Sequence, residues 1–439
     1  MIPNVHKVAS NLTVRVCQTK KLKAGMISLS VVLPIDRENT YLTSLLLSVL
    51  HRGTRTYPTI ADLNRRLDYL FGTELSVKND YRGDRHVIGI SADLLGEEYL
   101  PKDCRGRLME DVLGVMYEIL FHPRLDENGY FLSHYVESEK NLQCDAIAAL
   151  RNSPRAYAIE HCGELLYDGE LCGVKIYGTE EQVRSVTADQ LTAHWKTLLA
   201  NLALDVFYVG PETDEAVCQC VEKIFLPKLT RTEPIGMVTT PVVRRGEKIR
   251  RAEESLPVSQ GQLVIGVRTG TVVTDRDYYA CAVANEMLGV SPVSKLFVNV
   301  REKHGLCYHC SSHYNMYKGV ILITCGLLPE NKLLAEREIF AQLHALQEGA
   351  FDAEELQAAK KSLENSYRQI EDNPTALESF YFGRALVGAG DSLESCRAGF
   401  ASVEREDILR VSAKMAVDTV YFLNGTAQAD GEEAEDATD

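Results

Sequence analysis

Histidine and glutamate pairs at zinc-ligand spacing are the first residues in this sequence that could do chemistry. The inverted zinc motif H-x-x-E-H places two imidazoles on one helix face, and its Glu accepts a proton from the metal-bound water. The pattern H-x-x-E begins at His134 and again at His161. Ser138 and Leu165 stand where the second His is required. Neither stretch can therefore form a complete zinc site of this kind.

A cluster of soft ligands lies further along the chain, at His304, Cys307, His309, Cys310 and His313. On a regular strand, successive side chains alternate between the two faces. Cys307, His309 and His313 then point to one face, and Cys310 points to the other. We interpret the cluster as ordinary strand packing, and we keep a metal bound by these residues as an alternative.

Bulk composition excludes two classes of partner. The 439 residues carry a formal net charge of −15 and contain no long run of Lys and Arg, so we expect no nucleic acid partner. The sequence has no uninterrupted apolar run of bilayer length and no basic segment leading into an apolar one at its start. We therefore expect no membrane partner. The 12 cysteines are scattered through apolar patterns, which is typical of reduced thiols in a cytoplasmic protein.

The elements that must position these residues form two similar halves. The first half has predicted strands at residues 12–16, 26–33, 74–78, 86–91 and 204–210, with helices between them. The second half repeats this order, with predicted strands at residues 262–267, 307–313, 319–326 and 419–425. Matching element order and matching aromatic closing strands that end in Gly indicate an internal duplication.

The predicted fold class is α+β, with two homologous domains arranged as a clamshell, each a mixed or antiparallel β-sheet covered by helices. We assign residues 1–228 to an N-terminal domain and residues 258–428 to a C-terminal domain. Residues 229–257, rich in Pro and Thr, are a predicted linker with room for the first strand of the second domain. Residues 429–439 are acidic and lack large apolar side chains, so we expect a disordered tail.

The clearest resemblance to a known family lies in residues 44–58, S-L-L-L-S-V-L-H-R-G-T-R-T-Y-P. This segment resembles the helix and turn that carry H-x-x-E-H in the insulinase/pitrilysin-like zinc peptidases. In that family a [KR]-G-T-x-x-[YF] turn follows the motif, and here the turn begins at Arg52. Counting back, Ser44 and Ser48 replace the two His, and Leu47 replaces the Glu. Serine hydroxyls are poor zinc ligands and leucine cannot accept a proton, so no activated water is expected.

The family's third zinc ligand is a Glu on a later helix, and its register falls on Ala146. Asp145 is one residue away, which on a helix turns its side chain by about 100° from the ligand direction. The resemblance therefore implies that the three ligands and the base are all missing. We expect no catalytic residue, no metal and no cofactor in this chain.

Residues 294–308, S-K-L-F-V-N-V-R-E-K-H-G-L-C-Y, resemble the signature of the family's C-terminal domain. In relatives, the Arg and Tyr of this signature hydrogen-bond the substrate backbone or the oxyanion that develops opposite the zinc. The resemblance implies this substrate-binding role for Arg301 and Tyr308. A guanidinium and a phenol are suitable electrophilic partners for a peptide carbonyl.

The resemblance covers roughly residues 10–425 and is closest to bacterial family members that lack the motif and accompany an active sister chain. It implies a non-catalytic subunit of a two-chain zinc metallopeptidase. The partner would be a homologous active subunit that supplies the zinc, and the two chains would enclose a peptide substrate. We expect no activity from the isolated chain, which could form a homodimer when alone. A catalytically inert peptide-binding or scaffold protein of the same fold is the alternative. A third possibility is a self-sufficient peptidase with a metal relocated to the cluster between His304 and His313.

Overall fold

The strands of the protein form two mixed β-sheets. A computed structural model describes residues 2–229, 237, 239–243 and 248–426. The strands are β1 (Asn4–Ala9), β2 (Leu12–Gln18), β3 (Ala24–Pro34), β4 (Leu75–Arg82), β5 (Arg85–Leu95), β6 (Leu204–Gly210), β7 (Arg250–Leu256), β8 (Gly261–Arg268), β9 (Cys307–Asn315), β10 (Val320–Leu327) and β11 (Ala416–Gly425). The first sheet has the order β1-β2-β6-β3-β5-β4, and the second has the order β7-β11-β8-β10-β9.

Helices occupy most of the chain between these strands. They are α1 (Thr40–Leu50), α2 (Ile60–Tyr69), α3 (Leu108–Phe121), α4 (Ser133–Ala149), α5 (Pro154–Leu166), α6 (Glu180–Ser185), α7 (Ala188–Ala200), α8 (Asp214–Phe225), α9 (Tyr278–Asn285), α10 (Lys332–Gln347), α11 (Ala353–Ile370), α12 (Pro374–Leu386), α13 (Leu393–Ala401) and α14 (Arg405–Ser412). Two further segments, Glu286–Val290 and Leu296–Lys303, are π-helical. Along the described part of the chain, none of the helices combines the length and the apolar character needed to cross a bilayer.

The two sheets repeat one topology. Strands β2, β6, β3, β5 and β4 correspond in order to β7, β11, β8, β10 and β9. In both sheets the first of these strands is parallel to the closing strand, and the remaining neighbours are antiparallel. Strand β1 is an additional edge strand of the first sheet. This agreement confirms the predicted α+β fold class and supports the predicted internal duplication.

Burial explains why the central strands contain so few polar residues. Every residue of β8, Gly261–Arg268, is buried, and its sequence includes the continuous run Leu-Val-Ile-Gly-Val. A strand with both faces covered gains from apolar side chains at every position, so its hydrophobicity does not alternate. The neighbouring β10 follows the same pattern, with Ile321, Ile323 and Cys325 fully buried on one face.

The chain divides into two compact units, and each unit takes segments from both halves of the sequence. Unit 1 collects the described residues of Met1–Ala149, Gly169–Pro241 and Asn365–Cys396, and unit 2 those of Leu150–Asp168, Val242–Glu364 and Arg397–Asp439. Strand β7 lies inside the predicted linker 229–257. The acidic tail 429–439 lies outside the described residues. The predicted boundaries 1–228 and 258–428 stay predictions.

Helix α12 supplies part of the core of unit 1, although it comes from the second half of the sequence. It begins at Pro374, whose fixed φ suits the first turn of a helix. Its residues Leu377 and Phe382 are buried in one cluster with Met26 of β3 and Phe207 of β6. The sheet of unit 1 therefore requires α12 to cover its apolar face.

Helix α5 has the equivalent place in unit 2. It begins at Pro154 and packs on β8 and β11, where Tyr157 joins a buried cluster with Val264. The hydroxyl groups of Tyr157 and Tyr421 each donate a hydrogen bond of 2.8 Å to the carboxylate of Glu254. This shared acceptor links α5 to β7 and β11.

Candidate functional site

Helix α1 in unit 1 carries the three residues that replace the zinc motif. Ser44 is 2% exposed, and its hydroxyl donates a hydrogen bond of 2.6 Å to the carbonyl oxygen of Ile176. Leu47 is buried, whereas Ser48, one helical turn after Ser44, is exposed. Of the two serines, Ser44 is buried and has a structural hydrogen bond, whereas Ser48 is exposed to solvent. These side chains do not fit a zinc ion, which takes nitrogen, sulfur or carboxylate ligands.

A chain of hydrogen bonds continues from Ser44 into the sheet of unit 1. The side-chain amide of Asn79 on β4 donates to the Ser44 hydroxyl at 2.9 Å. The other side of this amide, its Oδ1, lies 2.6 Å from Nε2 of His86 on β5, which we assign as the protonated nitrogen. Burial, with a smaller contribution from the charge of His194, lowers the pKa of His86 from 6.5 to about 4. The imidazole is therefore neutral at physiological pH and serves as a structural donor.

Helix α4 carries the position of the third zinc ligand. Ala146 and its neighbour Asp145 are both exposed. Glu139, two turns earlier, is buried and accepts a short hydrogen bond from Nε of Arg52, just beyond α1. Nη2 of Arg52 also donates to the hydroxyl of Ser138 at 2.7 Å. The buried carboxylate closest to the former motif is thus committed to a guanidinium, which leaves it unsuited to a cation.

A pocket of about 440 Å³ opens beside α1. It is lined by Ser44, Leu47, Ser48, His51, Arg52, Ile60, Val77, Asn79, Glu139 and Tyr177. Nδ1 of His51 lies 2.7 Å from the carbonyl oxygen of Leu47, and Nε2 is buried without a hydrogen-bond partner. Burial lowers the pKa of His51 below its ordinary value. One neutral imidazole is not a metal site, and the described residues place no group of three metal-ligating side chains here.

Arg301 in unit 2 lies on the π-helical segment Leu296–Lys303, and 42% of its side chain is exposed. Its guanidinium carbon is 4.8 Å from the centre of the Phe297 ring, and its Nε is 3.5 Å from a carboxylate oxygen of Glu302. The Phe297 contact is a cation–π interaction across one turn of the segment. The guanidinium therefore packs against a neighbouring ring, and its side chain is partly exposed to solvent.

Tyr308 follows Arg301 after a tight reversal of the chain. Gly305 has φ of +59°, which favours glycine, and its N–H donates to the carbonyl oxygen of Arg301 at 3.0 Å. Strand β9 then begins at Cys307, and Tyr308 is 53% exposed. The reversal places the two predicted substrate-binding residues on adjoining elements of one unit. Their role in substrate binding stays a prediction.

The structure contradicts the predicted alternation of thiols along β9. Cys307 pairs with Leu327 and His309 with Gly326, so the strand contains an extra residue, Tyr308, at a β-bulge. The bulge turns Cys307 to the face that carries Cys310. These two sulfur atoms and that of Cys325 on β10, directly opposite Cys310, lie within 4.8 Å of one another.

Thiol contacts change the acidity of this group. Hydrogen bonds from Cys310 and Cys325, assisted by the positive environment of His309 and Arg301, lower the pKa of Cys307 to about 4. The same hydrogen bond to Cys307 raises the pKa of Cys310. These hydrogen bonds therefore favour ionisation of Cys307 over ionisation of the two buried thiols. Sequence analysis missed Cys325 as a partner, although hairpin pairing of β9 with β10 could have identified it.

The three histidines of the predicted cluster do not join these thiols. The ring of His309 lies against Gly326, which points away from the face of Cys325, because successive strand residues alternate. His313 is exposed, and His304 lies 4.0 Å from a carboxylate oxygen of Glu338. The predicted facing was therefore wrong for Cys307, which lies on the face of Cys310 and not on that of His309 and His313.

Comparisons with known proteins identify a matching family model and several relatives of this chain. A family model described as the peptidase M16 inactive domain matches residues 185–363. The probable inactive metalloprotease YmfF of Bacillus subtilis (strain 168) is 30% identical over 420 residues, which are 95% of this chain and 97% of that protein. Mitochondrial-processing peptidase subunit alpha of Pongo abelii is 23% identical over 341 residues, 71% of this chain and 63% of that protein.

A solved structure has the same fold. A conserved protein from Enterococcus faecalis V583 matches with a TM-score of 0.87 and 23% identity, over 98% of this chain and 100% of that chain. Similarity to YmfF extends over nearly all of both proteins. The chain therefore belongs to the insulinase-like M16 peptidase family, as one of its inactive members.

Proposed function

We propose that this chain is the non-catalytic subunit of a two-chain zinc metallopeptidase. Its partner is a homologous chain with an intact H-x-x-E-H motif, which holds the zinc and activates the water. This chain contributes Arg301 and Tyr308 to the binding of a peptide substrate. The proposal assigns chemistry to the partner and substrate positioning to the chain described here.

The exposure of Arg301 and Tyr308 is the observation that carries this proposal. Both side chains are large, and each could have been buried or paired within its own unit, as Arg52 is with Glu139. Instead, both side chains are largely exposed on the two sides of one chain reversal, although the guanidinium also contacts Phe297 and Glu302. A peptide carbonyl, or the oxyanion formed from it, is a suitable acceptor for both donors.

The sheet edge beside this pair offers a second means of binding a peptide. Strand β9 lies at the edge of the second sheet in the described part of the chain, and Tyr308 interrupts its pairing at the bulge. An extended peptide can add to such an edge through backbone hydrogen bonds, which gives affinity with little sequence preference. Substrate selection would then depend on backbone conformation more than on side chains.

The relatives are consistent with a division of labour between chains. YmfF is described as a probable inactive metalloprotease, and the mitochondrial relative is named as one subunit of a processing peptidase. In the present chain, Ser44 and Glu139 have hydrogen-bond partners that maintain the fold without a metal. A chain of this kind can be retained for binding and positioning after its own catalytic residues have been lost.

Reconstitution with a zinc-bearing homologue from the same organism tests the proposal. Both chains are purified, their association is measured, and cleavage of a peptide library is assayed for each chain alone and for the mixture. We expect the mixture to cleave at least about 10-fold faster than either chain alone. Arg301→Ala and Tyr308→Phe should each lower kcat of the pair by about 100-fold without weakening association.

Matched controls are available in unit 1. Arg65→Ala and Tyr69→Phe alter side chains that are at least as exposed, and they should leave cleavage unchanged. The proposal fails if the homologue alone cleaves as fast as the mixture, or if the Arg301 and Tyr308 variants behave like these controls. Tight peptide binding by the isolated chain without any effect on a partner would instead establish the inert peptide-binding alternative.

A further inference from the structure

Three thiols converge at the start of β9 and on β10 of unit 2. Cys310 is 5% exposed, Cys325 is fully buried, and Cys307 is half-buried. Their sulfur atoms lie within 4.8 Å of one another, and they are the one group of three or more potential metal ligands among the described residues. The group is outside the former zinc motif, which lies in unit 1.

The backbone holds these thiols in a fixed arrangement. Cys310 and Cys325 are direct cross-strand partners in an antiparallel pair, and Cys307 reaches the same face because of the bulge at Tyr308. A metal with three thiolate ligands at about 2.3 Å requires sulfur atoms about 4 Å apart. The observed triangle is within small side-chain rotations of that spacing, so no movement of the backbone is required.

The ligand set determines the class of ion. Thiolates are soft ligands and select closed-shell thiophilic cations, whereas Mg²⁺ and Ca²⁺ require oxygen ligands. His309 faces the opposite side of the sheet and cannot supply a fourth ligand. A fourth position, where the ion requires one, would be reached through solvent beside the half-buried Cys307.

We propose that Cys307, Cys310 and Cys325 form a binding site for a thiophilic closed-shell cation, Zn²⁺ or Cu⁺. This site differs from the expectation that the chain carries no metal. It would serve structure rather than hydrolysis, because a bound ion would fix the bulge that presents Tyr308 to solvent. The proposal does not depend on the proposed partner or substrate.

Metal titration of the full-length chain tests the proposal directly. The reduced protein is stripped of metal under anaerobic conditions and titrated separately with Zn²⁺ and with Cu⁺, using competing chelators to measure affinity. Co²⁺ serves as a spectroscopic probe for thiolate coordination. We expect one equivalent of Zn²⁺ or Cu⁺ to bind, a sulfur-to-cobalt charge-transfer band with Co²⁺, and protection of the half-buried Cys307 thiol from alkylation.

Substitutions distinguish this site from adventitious binding by other cysteines. Cys307→Ser changes a half-buried residue and should preserve the fold while lowering affinity by about 100-fold or more. Cys325→Ala should have the same effect if circular dichroism shows a folded chain. Cys218→Ser on α8 is the matched control, because its thiol is also half-buried, and it should leave affinity unchanged.

A preference for one of the two ions would indicate the coordination number of the site. Preferential Zn²⁺ binding would indicate four-coordination with a solvent-derived ligand, and preferential Cu⁺ binding would indicate three-coordination by the thiols alone. The proposal is overturned if Cys307→Ser binds either ion as tightly as the wild type. It is equally overturned if Cys218→Ser weakens binding as much as Cys307→Ser.

Discussion

The Ser44 hydroxyl donates a hydrogen bond to the carbonyl oxygen of Ile176 at 2.6 Å, from the position that the sequence resemblance matches to a zinc-binding histidine. The same hydroxyl accepts the amide of Asn79. Ser44 therefore contributes hydrogen bonds that stabilise the fold. It satisfies two polar groups that a metal-free pocket would otherwise leave unpaired.

Ser44→Ala should destabilise the protein. The substitution leaves the Ile176 carbonyl and one Asn79 donor without this partner, and we expect the free energy of unfolding to fall by about 1–2 kcal/mol. Ser48→Ala, one turn away and exposed, should change it by less than about 0.5 kcal/mol. Urea unfolding of both variants measures the difference. Equal effects would show that the Ser44 hydrogen bonds contribute nothing to stability.

Removing Arg52 should cost more than removing a surface arginine. Arg52→Met leaves Glu139, whose side chain is 11% exposed, without its guanidinium, and should lower the free energy of unfolding by about 3 kcal/mol. Arg65→Met breaks the exposed pair with Asp62 and should cost less than about 1 kcal/mol. The double variant Arg52→Met/Glu139→Met should recover much of the loss. A double variant as unstable as Arg52→Met would contradict this explanation.

His86 should make stability fall as the solution becomes acidic. Its pKa is about 4 in the folded chain and 6.5 when unperturbed, so the unfolded chain takes up the proton first as pH decreases. The resulting loss develops between pH 6.5 and about pH 4 and amounts to about 3 kcal/mol. His86→Gln keeps a donor for Asn79 and should remove this part of the pH dependence.

The measurement for His86 is the difference in unfolding free energy between wild type and variant at several pH values. This difference isolates His86 from the many carboxylates that also titrate. His313→Gln is the control for replacing a histidine by glutamine, because His313 is exposed. A wild-type profile that parallels the His86→Gln profile throughout this window would disprove the prediction.

Neither half of the sequence should fold alone. Residues 1–228 lack α12, so the sheet face around Met26 and Phe207 would be exposed to water. We expect this fragment to aggregate or to lack a cooperative unfolding transition, and expect co-expression with residues 229–439 to restore a folded complex. A monomeric fragment 1–228 with a sharp thermal transition would contradict the prediction.

A single substitution examines the same contact in the intact chain. Leu377 of α12 is fully buried, and Leu377→Ala should lower the free energy of unfolding by about 3 kcal/mol. Leu142→Ala removes a side chain that is 54% exposed and should cost less than about 0.5 kcal/mol. Denaturant unfolding compares the two.

Local patterns predicted most of the secondary structure because burial sets them residue by residue. The strand predicted at residues 204–210 is β6 without any change in its bounds, and the strand predicted at residues 26–33 lies within β3. Strand β1 was not predicted, because it lies at a sheet edge and half of its six residues are polar. The sequence also did not predict that α5 packs in unit 2 and α12 in unit 1, because the pattern of a helix does not specify which sheet it covers.

The sequence likewise predicted only some features of the candidate sites. The loss of ligands at Ser44 and Ser48 could be recognised from a contiguous sequence segment. The contact between Ser44 and Ile176 could not, because it joins residues 132 positions apart. The thiol group depends on a bulge, and nothing in the residue types around Tyr308 requires an extra residue at that point of β9.

The π-helical turns beneath Arg301 have a consequence for comparing this chain with its relatives. The N–H of His304 donates to the carbonyl oxygen of Asn299, five residues earlier, so this backbone contains one residue more per turn than an α-helix requires. In a regular α-helix, one residue more or fewer before Arg301 would rotate its guanidinium around the axis by about 100°, whereas a π-helical turn absorbs such a residue. Two proteins could thus share the same arginine in an alignment and aim it in different directions, so spacing deserves as much weight as identity.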